Sequence, residues 1–127
     1  MPITHTVDKA RRVVTNHVTG LVTLDDVNTN YAAIRSNPDF QSNFDQISDC
    51  MDENIRADIS SEDIGTLSYN APFSPASLHA IAAAKPVIFG LARMYQQRSL
   101  SESNVAVFTT LEEAHAWLDG ERRKRNN

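Results

Sequence analysis

The residue types able to do chemistry are dispersed along this chain. Four histidines, His5, His17, His79 and His115, stand far apart in 127 residues, and none has a second histidine at metal-ligand spacing. Each is expected as a surface or strand-edge imidazole. The stretch "DCMDENIRADISSED", Asp49 to Asp63, places carboxylates at alternate positions and brings a calcium loop to mind. Counted from Asp52, however, Ala57 stands where the sharp turn needs glycine, and Asp63 stands where a bidentate glutamate is needed. Cys50 ends an apolar strand, which is the setting of a buried thiol rather than a nucleophile. With four glycines in all, no loop of the P-loop or dinucleotide type can be drawn. No two polar groups pair into a nucleophile and base, or into a metal site. The expectation is a protein that is not an enzyme and uses no metal and no cofactor.

The segment "PVIFGLARMYQQ", Pro86 to Gln97, points toward binding instead. On a helical wheel Val87, Leu91 and Met94 form one row and Ile88, Ala92 and Tyr95 the next, together wider than the ~100° stripe of a helix lying on a sheet. Phe89 lies beyond both rows, beside Arg93 and Gln96. One explanation packs Phe89 on the last helix, onto Trp117, with Gly90 allowing close approach to the sheet. The other makes the helix a lid or docking surface whose surplus apolar row meets lipid, an apolar ligand or a second subunit. Arg93 would then take a phosphate or carboxylate head group in its guanidinium fork, its plainer role being a hydrogen bond to a loop or helix end. The loop "NAPFSP", with Phe73, belongs to the same candidate surface.

The elements that must position these residues follow from periods of two and 3.6. "ITHTVDKARRVVTNHVTG" reads as an opening β-hairpin interrupted at Asp8, Lys9 and Ala10, with Val14, Asn16 and Val18 alternating against Val13, Thr15 and His17. Gly20 breaks it. A helix follows with Thr23 as N-cap, Asp25 and Asp26 in the first turn, and Val27, Tyr31 and Ile34 as a stripe. Pro38 stops that helix. "NFDQISDC" is a strand, "ADISSEDIGTLSYN" a helix capped by Ser60 or Ser61, and "SLHAIAAA" a buried strand. Pro86 suits a first helical position, "NVAVFTT" is the last strand, and "TLEEAHAWLDG" the last helix, begun by Thr110 and Glu113 and ended by Gly120. Strands and helices alternating after a hairpin predict an α/β fold with a mixed, mostly parallel five-stranded sheet and about four helices. Residues 1–120 form the single domain, and 121–127, "ERRKRNN", a basic flexible tail.

Composition narrows the setting. A chain of 127 residues is long enough to bury one core without staples. The single cysteine cannot form an internal disulfide, the amino terminus has no apolar segment like that of a signal peptide, and a cytoplasmic location is expected. A formal net charge of -4 argues against nucleic acid as a partner, since that needs a basic face. An apolar helix face also suits a homodimer.

"HAIAAAKPVIFGLARMYQQ", followed by "VAVFTTLEEAHAWL", resembles the ending of bacterial SpoIIAA-like proteins of the STAS and SEC14-related group, and "GLVTLDDV" and "NPDFQSNFDQISD" fit it too. The resemblance spans nearly the whole domain. It implies the mixed sheet above and, from SEC14-type relatives, a lipid held beneath a mobile helix. The implied function is a non-enzymatic module for an amphipathic small ligand or a membrane surface, through Ile88, Phe89, Arg93, Tyr95 and Phe73. The alternative it implies is a regulatory protein-interaction domain like the anti-sigma factor antagonists, with a phosphoswitch at Ser60 or Ser61. A phosphate there would gain from helix-end amides and be repelled by Glu62 and Asp63. No glycine follows the serines, and a plain N-cap serine is the competing assignment.

Overall fold

A computed structural model describes residues 1–126. The chain opens with the expected hairpin, β1 (Ile3–Asp8) and β2 (Val13–Val18), antiparallel with Ile3 opposite Val18 and Asp8 opposite Val13. Arg12 enters β2 at φ 61°. Gly20 turns the chain at φ 64°, a left-handed conformation that glycine adopts without strain. β3 (Leu21–Thr23) leads directly into α1 (Leu24–Ser36), and Thr23 caps α1 in a reciprocal capping box with Asp26. Then come β4 (Asp45–Asp49), β5 (Arg56–Asp58), α2 (Ser61–Asn70), β6 (His79–Ala82), α3 (Pro86–Arg98), a 3-10 turn, β7 (Val105–Phe108) and α4 (Leu111–Arg125).

The main sheet has five strands in the order β1-β2-β4-β6-β7, parallel apart from the hairpin. Because the parallel strands are added in one direction, right-handed crossovers put α1, α2 and α3 on the same face, and α4 returns over the other. Under α4, Val13, Ile47, Leu78, Ala80 and Ala82 pack with Ala114 and Leu118. A second, two-stranded parallel sheet of β3 and β5 was not foreseen. Three residues are too few for a period of two to declare itself, so Leu21–Thr23 read as a helix entry.

Two further expectations are corrected. Gly120 does not end the last helix, which runs on to Arg125. The basic residues read as a flexible tail therefore belong to α4, and only Asn127 of that stretch lies outside the described residues. The cause is a contact distant in sequence: Arg125 grips Asp45 with two hydrogen bonds of 3.0 and 2.7 Å, and Arg122 lies 3.6 Å from the same carboxylate. Asp45 is 1% exposed and also accepts from the Leu78 backbone N–H at 2.9 Å. The other correction concerns Phe89 and Gly90. Trp117 packs with Phe108, 6.0 Å between ring centroids, whereas Phe89 joins Ile55, Ala83 and Ile88. Gly90 is exposed, and a Cβ built there meets no atom within 4 Å, so it serves no close approach.

Candidate functional site

The apolar width of α3 is used twice inside the molecule. Leu91, Met94 and Tyr95 pack sideways on the α1 and α2 residues Tyr31, Ile64 and Leu67, while Ile88 and Ala92 face the sheet. A helix wedged between a sheet and a neighbouring helix needs two adjacent stripes, which accounts for the double row. Val87 is the strongly exposed large apolar residue of α3, at 74%.

This wedging leaves a gap. Between the sheet and α1, α2 and α3 lies a cavity of about 150 Å³. Its walls are aliphatic: Ile88, Leu91 and Ala92 from α3, Ile64 and Leu67 from α2, and Ile55 from the loop before β5. Its floor is polar. By strand register, Asn16 on β2, Gln46 and Ser48 on β4 and His79 on β6 leave the sheet on this same face. In a parallel sheet covered on both sides these positions ordinarily carry aliphatic side chains.

The floor is one connected chain of hydrogen bonds. His5 Nδ1 meets Asn30 Oδ1 at 3.1 Å, and Asn30 Nδ2 donates to Asn16 Oδ1 at 3.0 Å. Asn16 Nδ2 donates to Gln46 Oε1 at 3.0 Å and to Ser48 Oγ at 3.3 Å. Ser48 Oγ then meets His79 Nε2 at 2.8 Å. The His79 ring stands edge-on to Tyr95, 5.6 Å between centroids, and Tyr95 packs against Tyr31 on α1. A second cavity of about 70 Å³ adjoins at Gln46, His79 and Tyr95, and Phe73, Ser77 and Leu100 line its far side.

Burial sets the charge state of the site. It pushes the His79 imidazole down to about 3, so the ring is neutral at physiological pH. It raises the Tyr31 and Tyr95 hydroxyls, and pushes the Cys50 thiol, which also lines the cavity, up to about 12 with a further contribution from Asp49. A neutral imidazole, neutral phenols and a protonated thiol can hold a ligand by hydrogen bonds and apolar contact. They offer neither a thiolate nor an acid poised near neutrality.

The sequence-derived candidates thus separate. Ile88 and Tyr95 line the larger cavity, Tyr95 and Phe73 the smaller. Phe89 sits behind Ile88, outside both, and Arg93 is exposed on the outer face of α3. Ser60 is the N-cap of α2, its hydroxyl accepting from Asp63 N–H at 3.1 Å, and Ser61 is the first helical residue; both are exposed. The histidine expectation is corrected for His79, which is buried inside the domain, whereas His5 stands on the edge strand β1 as expected and meets Asn30. Sequence reasoning missed Asn16, Asn30, Gln46, Ser48, Tyr31 and His79 as members of one site. The available signal was parity, because Asn16, Gln46, Ser48 and His79 are polar residues on the inward side of central strands.

No protein-family model matches this chain, and no curated protein and no solved structure is significantly similar to it. The α/β class and the five-stranded mixed sheet stand on the structure, and the SpoIIAA-like resemblance rests on the motif residues quoted above.

Proposed function

We propose that this domain is a non-enzymatic binding module that takes a small amphipathic molecule into the cavity between the sheet and α1, α2 and α3. The observation that carries this reading is the pairing of an aliphatic wall with a continuous uncharged polar floor. A mostly apolar pocket with a few convergent polar groups is the usual form of a small-molecule site. Size bounds the ligand. A cavity near 150 Å³ suits a molecule about as large as benzene, far smaller than a membrane lipid. The recognition element is therefore the inner face of α3, through Ile88, Leu91, Ala92 and Tyr95, rather than an outward surface carrying Phe89 and Arg93.

Native mass spectrometry of freshly purified protein tests this. The expected spectrum shows one small-molecule adduct, lost in Ala92→Leu, whose added carbons enter the cavity from a position 8% exposed. Wild-type protein that carries no adduct and gains no thermal stability from added toluene contradicts the reading.

A further inference from the structure

What the cavity selects follows from the direction of the hydrogen bonds along its floor, on the reading that it binds a ligand at all. Asn16 Nδ2 donates to both Gln46 Oε1 and Ser48 Oγ. The Ser48 oxygen is thus an acceptor at that contact, and among the described residues His79 Nε2, 2.8 Å away, is the partner left for its own proton, which assigns Nε2 as the acceptor. A neutral ring accepting at Nε2 carries its proton on Nδ1. Gln46, with Oε1 turned to Asn16, leaves its amide nitrogen on the other side of the group. Among the described residues neither Gln46 Nε2 nor His79 Nδ1 has a hydrogen-bond partner in the protein, and neither is a fully enclosed unpaired atom as Gln96 Oε1 is, so both border accessible space where the two residues line the cavities.

Gln46 and His79 are register partners on β4 and β6. Neighbouring strands hold such side chains about 5 Å apart on one face, at the junction where the two cavities meet. The chain of hydrogen bonds therefore ends in two neighbouring donors that border the cavities. The lining contains no Asp, Glu, Lys or Arg, so an ionised ligand would bury an unpaired charge, at a cost that excludes it.

We propose that the site selects a compact uncharged molecule bearing a hydrogen-bond-accepting oxygen, such as a ketone or ether on an apolar body, with that oxygen received between Gln46 Nε2–H and His79 Nδ1–H.

Calorimetric titration of the full chain with four probes tests this: toluene (apolar only), acetophenone (acceptor only), benzoate (the charged counterpart of acetophenone) and pyrrole (donor only). Acetophenone is expected to bind about tenfold tighter than toluene, as one well-made hydrogen bond provides. Benzoate and pyrrole are expected to bind no better than toluene. In Gln46→Met the advantage of acetophenone over toluene should shrink while toluene binding persists, which reports an intact cavity. Toluene binding without an acetophenone preference, or a preference for pyrrole or benzoate, overturns the selectivity and leaves the binding site standing. Failure of all four probes to bind overturns both.

Discussion

Acidification from about pH 6.5 to pH 4 is expected to cost this fold about 3 kcal/mol through His79 alone, at about 1.4 kcal/mol per pH unit. The imidazole is held near 3 in the folded chain by burial and returns to about 6.5 when unfolded. Between those values the unfolded state binds a proton that the folded state does not. Stability is then complete above the unfolded value and is lost progressively as pH falls toward the folded one. Carboxylates titrate in part of the same window, so the informative quantity is a difference. Urea unfolding of wild type and His79→Gln across this range should show a shallower acid slope in the variant, by close to one proton. Equal slopes would mean that His79 is hydrated in the folded protein and that the polar floor is open to water.

Asp45→Ala is expected to destabilise the domain by about 3 kcal/mol. It removes the acceptor of the Leu78 N–H at the start of β6 and releases both arginines of α4. Arg125→Ala should cost less, about 1 to 2 kcal/mol, because its side chain is 42% exposed and the ion pair is partly screened. In that variant the last turn of α4 is expected to fray, since Arg122 alone lies 3.6 Å from the carboxylate and donates in addition to the Arg11 carbonyl. Chemical denaturation of the two single variants and the double variant gives the coupling. Additive effects would show that the clasp contributes nothing beyond its separate parts.

Much of the fold was legible because its signals are local. The hairpin pattern of Val13–Val18, the caps at Thr23, Ser60 and Thr110, and Pro86 at the head of α3 each act within a few residues. What stayed hidden depends on partners far along the chain. Gly120 is a stop signal by its neighbourhood, yet the helix passes through it because Arg125 reaches Asp45, eighty positions earlier. The double apolar row of α3 was read correctly as wider than one sheet contact requires. Its second use, packing on α2, could not be seen from the helix itself. The site was less legible than the fold, because Asn16, Gln46 and His79 lie in three segments and become one network only once β2, β4 and β6 are laid side by side. An isolated histidine in "SLHAIAAA" gives no sign of a ring made neutral by burial.

The most direct test of the binding site is a two-dimensional NMR titration of the full chain with toluene, read at assigned methyl groups. Saturable shifts confined to methyl groups that line the cavity, among them Ile55, Ile64, Leu67, Ile81, Ile88 and Leu91, are the predicted result. Shifts centred instead on the exposed Val87 and Leu21, or no saturable shift at all, would contradict it.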